Sequence, residues 1–193
     1  MEGLQNILLW PFRKLKNRLS PEKNKVYFRF ELTPEEIDSL GAGMSDYHRG
    51  RVFEEYIANL YRLQGNKAWT TGELREQGLL PPSIQKRGGS GEQGVDVVLL
   101  APQGEKIAIQ CKLYKGKVDN KAIQEIVAAL PLYEAQFGVV ITNNYFTGPA
   151  QDLAASNGVL LIDREGLQQL IKNTRKKLIK RQESKEKKQN KSA

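Results

Sequence analysis

The feature that most constrains the fold is a pair of apolar segments on either side of a short turn. Val95–Leu100 and Lys106–Lys112 are rich in Val, Ile and Leu, and Ala101–Glu105 between them contains Pro and Gly. Two such segments joined by turn residues predict a β-hairpin. Apolar residues fall on both faces of these strands, which indicates a hairpin in the buried centre of a sheet rather than at its edge.

The pairing of this hairpin brings three polar side chains together. If the chain folds about Gln103, Asp96 lies opposite Gln110, and opposite residues have Cβ atoms about 5 Å apart. Lys112 shares their face because side chains alternate along a strand. Carboxylate and amide oxygens are suitable ligands for Mg²⁺, and a lysine can polarise water or stabilise a phosphoryl oxygen. The alternative is an edge hairpin with an ordinary Asp–Lys pair, which contributes about 0–1 kcal/mol.

The remaining apolar periodicity predicts alternating helices and strands. Helices are predicted over Tyr47–Gln64, from Asp119 or Asn120 to about Gln136, from Thr147 to about Asn157, and from about Glu165 into the C-terminal residues. Further strands are predicted at Lys25–Leu32, Gly138–Thr142 and Val159–Ile162, with a short helix starting at Thr33 and a long loop over residues 70–93. This order predicts an α/β fold with a mixed central β-sheet flanked by helices.

Composition excludes several kinds of site. The chain has 193 residues, a length typical of one domain with extensions, and contains one Cys and one His. It therefore cannot form an intrachain disulfide, or a Cys/His zinc site from this chain alone. Cys111 is expected in the core and His48 in a structural or surface position. No apolar segment approaches the roughly 20 residues that span a membrane, so we expect a cytoplasmic protein without membrane association.

Positive charge is concentrated at the C-terminus. Residues 172–193 contain ten Lys or Arg and two Glu, which equals the net charge of +8 of the whole chain. A basic extension on a neutral body suggests contact with a polyanion, most often nucleic acid. The alternative is a solvated end that keeps the protein soluble.

Three regions are predicted from these patterns: an N-terminal accessory segment at residues 1–45, a main domain at 46–171 and a basic tail at 172–193. The accessory segment has a leucine-rich stripe with interleaved basic residues. This pattern predicts either packing on the domain or a basic amphipathic helix on a membrane or partner surface.

A series of short motifs follows in order through residues 48–171. They are Gly50-Arg51-Val52-Phe53-Glu54, Gly94-Val95-Asp96, Gln110-Cys111-Lys112, Ile141-Thr142-Asn143-Asn144-Tyr145-Phe146-Thr147 followed by Ala150 and Ala154, and Leu161-Ile162-Asp163. In order and spacing they resemble the Mrr-type restriction endonuclease domain, a branch of the PD-(D/E)XK nuclease superfamily. The turn before Gly94 lacks the Asp that this family often has there, and the segment preceding it is longer, so substrate choice could differ.

The resemblance implies a role for each matched polar residue. Asp96 would be the principal metal ligand, Gln110 the second ligand and Lys112 the catalytic lysine. Glu54 would be a further acidic residue near the metal, and Gln124 on the following helix could face the site. The family commonly has Gln where other branches have Glu, so Gln110→Glu is expected to retain or raise activity. The metal is expected to be Mg²⁺, with Mn²⁺ as a substitute.

The predicted function is that of a Mg²⁺-dependent endodeoxyribonuclease that hydrolyses phosphodiester bonds, in a type IV-like restriction role or in DNA processing. Local DNA contacts are expected from four basic residues, Lys86, Arg87, Lys115 and Lys117. Cleavage of both strands would favour a homodimer, by analogy. The alternatives are a nucleic-acid-binding module that keeps the fold without cleavage, and a membrane-associated interaction protein that depends on residues 1–20. The sequence predicts neither the target sequence nor a dependence on methylation.

Overall fold

The computed structural model describes residues 30–85, 94–101 and 104–189 of the chain. Three predictions lie wholly or largely outside these residues: the leucine-rich stripe of the accessory segment, most of the strand at Lys25–Leu32, and the basic pair Lys86 and Arg87. Of that strand, residues 30–32 are described and have no regular secondary structure. No helix in the described ranges is long and apolar enough to cross a membrane.

Within the described residues the chain forms five strands and seven helices. The strands are β1 (Lys67–Thr70), β2 (Val97–Leu100), β3 (Lys106–Lys112), β4 (Phe137–Thr142) and β5 (Leu160–Ile162). The helices are α1 (Pro34–Asp38), α2 (Asp46–Leu63), α3 (Thr71–Glu76), α4 (Pro82–Gln85), α5 (Asn120–Tyr133), α6 (Gly148–Asn157) and α7 (Arg164–Gln189). The four long helices that periodicity predicts are all present, with ends close to the predicted ones.

The five strands form one mixed sheet in the order β1-β2-β3-β4-β5. β2 runs antiparallel to both of its neighbours, β1 and β3, whereas β3, β4 and β5 run parallel to one another. Parallel neighbours need crossover connections, which α5 and α6 provide. The hairpin of β2 and β3 has the predicted register, in which Leu100 pairs with Lys106 and Val98 with Ala108. The predicted α/β fold with a mixed central sheet is confirmed.

Helices cover both faces of this sheet. On one face α3, α4, α5 and α6 pack against side chains such as Val98, Ala108 and Val140. On the other face α1, α2 and α7 pack against side chains such as Val97 and Ile109. Because side chains alternate along a strand, a strand covered on both faces needs apolar residues at nearly every position. The hairpin is therefore central and buried, as its composition predicts.

The predicted loop over residues 70–93 is wrong for much of the part that the structure describes. Thr70 ends the edge strand β1, and α3 begins with the next residue. Thr70 and Glu73 cap this helix reciprocally, since each side chain accepts a hydrogen bond from the backbone N–H of the other residue. This capping box is readable as Thr-x-x-Glu. A helix of six residues, however, is too short to show the apolar period on which the prediction relied.

Helix α7 continues without a break from the domain into the basic tail. Arg181 donates through Nη1 to the carbonyl of Leu63 at 2.9 Å and through Nη2 to that of Gln64 at 2.8 Å. These carbonyls belong to the C-terminal end of α2, where no helical partner is available for them. The Gln64 side chain bonds Thr174 and Lys177. The boundary at 171/172 is not marked by a helix end and stays a prediction.

Candidate active site

Asp96 lies where the β2–β3 hairpin opens, one residue before β2. Its backbone N–H donates to the carbonyl of Ile109 at 2.9 Å, and its own carbonyl accepts from the N–H of Thr71 at 2.9 Å. Its side-chain Oδ2 accepts from the N–H of Cys111 at 2.6 Å. The hairpin register, continued by one residue, sets Asp96 opposite Gln110. Backbone and side-chain bonds together therefore fix this carboxylate beside the last residues of β3.

Gln110 is buried, with 2% of its surface exposed, and its amide has one bonded end and one end without a partner. Nε2 donates to Oε2 of Glu125 at 2.6 Å. Oε1 is buried and has no hydrogen-bond partner among the described residues. A carboxylate only accepts hydrogen bonds, so the contact with Glu125 decides which end of the amide is the nitrogen. The unpartnered atom is therefore an oxygen, an acceptor that costs about 1–3 kcal/mol to leave buried without a bond.

Three other buried side-chain oxygens lack a partner in the described part of the chain, in Gln77, Glu105 and Asn120. Each of those residues is partly exposed, whereas Gln110 is almost fully enclosed. Gln110 also differs in position, because the carboxylate-bearing residue Asp96 faces it across the hairpin. The combination of burial and neighbouring carboxylate distinguishes the Gln110 oxygen from the other three.

Lys112 ends β3 on the same face as Gln110. Its Nζ donates to Oε2 of Glu125 at 3.0 Å and lies 5.9 Å from the ring centre of Tyr114. Its carbonyl accepts from Oγ1 of Thr142 at 2.7 Å, which ties the ends of β3 and β4 together. About 19% of the Lys112 side chain is exposed. The ammonium group is therefore held in place and still accessible from solvent.

Glu125 on α5 is a site residue that the sequence did not identify. The resemblance pointed to Gln124, but Gln124 is exposed and Glu125 turns toward β3. Burial raises the pKa of Glu125, but hydrogen bonds from Lys112 and Gln110 and the positive charges of Lys112 and Lys121 outweigh it, and the net shift is downward. Glu125 is therefore a carboxylate that accepts from both donors.

Glu54 lies on α2 with 8% of its surface exposed, and its Oε2 accepts from Nη1 of Arg51 at 3.2 Å. Gly72 leaves the space for this arginine, since a Cβ there would overlap its guanidinium. Glu55, which helical geometry alone did not separate from Glu54, instead accepts from Arg62 at 3.1 Å. The buried position thus belongs to Glu54.

Cys111 lies between Gln110 and Lys112 on β3. It points to the opposite face from Gln110 and packs against the core under α2. Burial raises the pKa of its thiol well above the ordinary value, and the nearby carboxylates of Asp96 and Glu54 raise it further. Asp96 is also bonded to this residue directly, since the Cys111 N–H donates to its Oδ2 at 2.6 Å. Cys111 itself stays protonated, which agrees with its predicted place in the core.

The donor set is suited to a hard divalent cation. Among the described residues, no three Asp, Glu, His or Cys side chains come together as a set of metal ligands. Here, however, one of the three expected ligands is an amide. Its buried oxygen on Gln110 lacks a partner among the described residues, the carboxylate of Asp96 is held beside the end of β3, and Glu54 supplies a buried carboxylate on α2. Oxygen ligands of this kind fit Mg²⁺, so the residues present fit such an ion.

The predicted DNA contacts divide into two groups. Lys115 and Lys117 are exposed in the segment between β3 and α5, directly after the site. The Lys115 carbonyl accepts from Asn144 Nδ2 at 2.9 Å, which ties this segment to the end of β4. A cavity of about 280 Å³ opens here between Arg49 and residues 113–115. Lys86 and Arg87 lie outside the described residues.

A mixed central sheet with helices on both faces is the fold of a PD-(D/E)XK nuclease domain. Residues 46–171 match the restriction endonuclease family Mrr_cat, and because the match spans well over half of the chain, the chain belongs to that family. The resemblance read from the short motifs is thereby confirmed. Members of this superfamily typically require a divalent metal ion.

The proteins to which the chain is similar include a curated restriction enzyme and two solved structures. The type IV methyl-directed restriction enzyme EcoKMrr of Escherichia coli (strain K12) is 37% identical over 91 residues, which are 46% of this chain and 30% of that enzyme. The chain thus matches less than a third of its relative's length. A protein of unknown function, AF1548, aligns with TM-score 0.43 at 20% identity, over 59% of this chain and 62% of its own. The MspJI restriction endonuclease in complex with a 27-mer oligonucleotide aligns with TM-score 0.39 at 20% identity, over 62% of this chain and 27% of its own. At these TM-scores neither structure supports a further conclusion.

Proposed function

We propose that this protein is a Mg²⁺-dependent endodeoxyribonuclease that hydrolyses phosphodiester bonds. The observation that carries the proposal is the buried, unpartnered Oε1 of Gln110 opposite Asp96, with the ammonium of Lys112 on the same face. An ordinary structural Asp–Lys pair would not explain an acceptor left buried without a bond. Membership of a restriction endonuclease family supplies the reaction class.

The proposed ligands are Asp96, Gln110 and Glu54. When bound, a divalent ion would lower the pKa of a coordinated water and neutralise charge on the phosphoryl group. Asp96 contributes a carboxylate whose position the Cys111 N–H fixes. Gln110 contributes a neutral oxygen that needs no reorientation. Glu54 contributes a buried carboxylate that its ion pair with Arg51 holds in place.

Lys112 has a separate role in this proposal. Its ammonium is a fixed positive charge at the rim of the site, and it stabilises the negative charge that develops on the phosphoryl oxygens. Such a group acts without reorganisation only if it is already held in position. The bond to Glu125 and the anchored end of β3 supply that rigidity.

DNA is the proposed substrate, and Lys115 and Lys117 the proposed phosphate contacts near the site. Both follow Lys112 along the chain and are exposed. Phosphate contacts fix the position of the duplex without reading its sequence. A type IV-like restriction role, a DNA-processing role and a homodimer that cuts both strands all remain within this proposal.

Plasmid cleavage tests the proposal directly. The full chain is incubated with supercoiled plasmid, methylated or unmethylated, with Mg²⁺ or with EDTA. We expect Mg²⁺-dependent nicking or linearisation that EDTA and Asp96→Ala abolish. Cleavage by Asp96→Ala at the wild-type rate would reject the site. Retention of DNA by the wild type without any cut would support the alternative of a non-catalytic binding module.

A further inference from the structure

The geometry points to Glu125 as a positioning residue that orients the metal-facing amide of Gln110 and the ammonium of Lys112 together. This inference rests on the proposed nuclease function. It concerns α5, where the resemblance pointed to Gln124 and assigned no role to Glu125. It also predicts that residues 110 and 125 must be complementary, one an amide and the other a carboxylate.

A single oxygen atom of Glu125 makes both contacts. Oε2 accepts from Nε2 of Gln110 at 2.6 Å and from Nζ of Lys112 at 3.0 Å. The two donors are two residues apart on one face of β3, so one carboxylate on the facing helix can reach both. Since Nε2 is held by Glu125, Oε1 must point the other way. The carboxylate thereby selects the direction in which the ligand oxygen is presented.

The tight approach of the Gly94 turn to α5 supports a built arrangement rather than a chance contact. Gly94 has φ +78°, which favours glycine. A Cβ on Gly94 would lie 2.9 Å from Cβ of Glu125 and 3.0 Å from its carbonyl carbon and oxygen. The turn that leads into Asp96 thus packs directly on the backbone of Glu125. Glu125 is therefore fixed against both strands of the hairpin.

The contact also changes the expectation for Gln110→Glu. A carboxylate at position 110 would face the carboxylate of Glu125 at about the present 2.6 Å separation. Two like charges so close cannot both remain ionised in place. The single substitution is therefore expected to harm the site. Exchanging the two residue types restores a donor opposite an acceptor, because Gln at 125 can donate to Glu at 110.

A second lysine–glutamate pair on the same strand and helix provides a matched control. Lys106, at the start of β3, donates to Oε2 of Glu134 at 2.9 Å. Glu134 caps the C-terminal end of α5, away from Asp96 and Gln110. Glu134→Gln therefore removes the same kind of charge from the same interface without touching the site.

The experiment compares the full-length wild type with Glu125→Gln, Glu125→Asp, Gln110→Glu, Gln110→Glu/Glu125→Gln and Glu134→Gln. Mn²⁺ binding is measured by calorimetry on the protein alone, plasmid nicking over a range of Mg²⁺ concentrations, and folding by thermal unfolding. Loss of a group that orients a metal ligand typically lowers metal affinity about 10- to 100-fold. We expect losses of that size for the three single changes at 110 and 125, and near wild-type binding for Glu134→Gln.

The double variant is the decisive comparison. We expect its affinity for Mn²⁺ to lie within about threefold of the wild-type affinity. This is far tighter than the affinity expected if the losses of the two single variants multiplied, because the effects of residues in contact are not independent. Losses that simply multiply, or a Glu125→Gln that behaves as Glu134→Gln does, would overturn the inference. If Glu125→Gln does not fold, Glu125→Asp keeps the charge but shortens the reach, and its wild-type affinity would overturn the inference equally.

These readouts separate this inference from the nuclease proposal. If the wild type binds Mn²⁺ but never cuts DNA, the nuclease proposal fails, and the coupling between residues 110 and 125 still decides the role of Glu125. If the wild type cuts and Asp96→Ala does not, but the 110 and 125 variants match the control, only the positioning role fails.

Discussion

The two ends of β3 contain the same ion pair in different surroundings. At one end, which we call the far end, Lys106 pairs with Leu100 in the sheet and donates to Glu134 at 2.9 Å. At the other, the site end, Lys112 donates to Glu125 at 3.0 Å. The distances are alike, but at the site end the same carboxylate also holds the amide of Gln110. A Lys–Glu pair alone therefore does not indicate a functional site.

The two ends of β3 differ in the polar groups that surround the ion pair. Each end has a buried side-chain oxygen without a partner among the described residues, Glu105 Oε2 at the far end and Gln110 Oε1 at the site end. Glu105 is partly exposed, whereas Gln110 is 2% exposed and faces the carboxylate of Asp96 across the hairpin. An enclosed, unused acceptor and a carboxylate are thus concentrated where the hairpin opens. This concentration is costly to a folded protein unless a cation or substrate compensates it. The site end is therefore the end where chemistry is expected.

The largest expected effect compares the two lysines of β3. Lys112→Ala removes the charge that we place beside the phosphoryl group, and loss of one such stabilising group costs about 10²- to 10³-fold in turnover. Lys106→Met removes the far-end ammonium, keeps the apolar stem and should leave cleavage near wild type. Single-turnover nicking measures both, with thermal unfolding as the check on folding. Equal losses in the two variants would remove the distinction between the ends.

The hairpin and its polar face were predictable because each signal there is local. Alternation and the turn at Ala101–Glu105 determine the register, and the register brings Asp96 and Gln110 together. Glu125 was not predictable in this way. It borders the apolar stripe of α5, where a Glu is ordinarily a solvated residue, and its role depends on a contact with β3 across 15 residues of sequence.

Two other features depended on tertiary contacts in the same way. Glu54 is buried and bonded to Arg51, whereas Glu55 is partly exposed and bonded to Arg62, and the helical pattern alone does not contain that difference. Arg181 binds the carbonyls of Leu63 and Gln64 at the end of α2, which are 118 and 117 positions away from it in the sequence. Charge counting alone assigns Arg181 to a solvated or DNA-binding tail.

A second comparison uses these adjacent carboxylates of α2. Glu54→Ala removes a proposed metal ligand and should raise the Mg²⁺ concentration needed for cleavage, with a loss of about 10- to 100-fold at limiting metal. Glu55→Ala breaks a partly exposed ion pair with Arg62 and should cost about 1 kcal/mol of stability or less. Cleavage assayed as a function of Mg²⁺ distinguishes them. A larger loss in Glu55→Ala would show that the wrong carboxylate was assigned to the site.

A third comparison uses the two glycines that flank the β2–β3 hairpin. Gly94 at the site end and Gly104 at the far end both have positive φ, 78° and 103°. A Cβ on Gly104 meets nothing within 4 Å, whereas one on Gly94 overlaps the backbone of Glu125. Alanine at Gly104 should cost about 1–2 kcal/mol through backbone strain alone. Gly94→Ala should cost roughly 1–3 kcal/mol more, because overpacking adds to the strain.

Chemical unfolding measures the two free energies, and plasmid nicking shows whether the site is displaced. Only Gly94→Ala should reduce cleavage in conditions where both variants are folded. Equal stability losses with unaltered cleavage would mean that α5 yields to the added methyl group, and that the approach of Glu125 to the hairpin is not required.

The smallest expected effect concerns DNA binding at the two ends. α7 starts at the site end, where the Arg164 N–H donates to Asn144 next to β4, and runs to the far end. Arg181 lies seventeen residues along, roughly 25 Å away at 1.5 Å per residue. Truncation after Ile171 would remove Thr174, which is fully buried, and Arg181 with it, so a loss of binding would be confounded by instability. Truncation after Arg181 keeps these contacts and is the cleaner test.

This shorter truncation removes four lysines, Lys185, Lys187, Lys188 and Lys191, together with two glutamates. Each phosphate contact contributes a slope of about −0.9 in log K against log salt, so we expect a change of no more than about two units. Lys115→Ala/Lys117→Ala at the site end should change the slope by a similar amount, and should also slow cleavage below saturation because the duplex is held less well beside Lys112. Binding titrations at several salt concentrations give both slopes. The opposite result would be a truncation after Arg181 that flattens the salt dependence more than Lys115→Ala/Lys117→Ala does and slows cleavage equally. In that case the DNA would lie along α7, and the site end would not be its main contact surface.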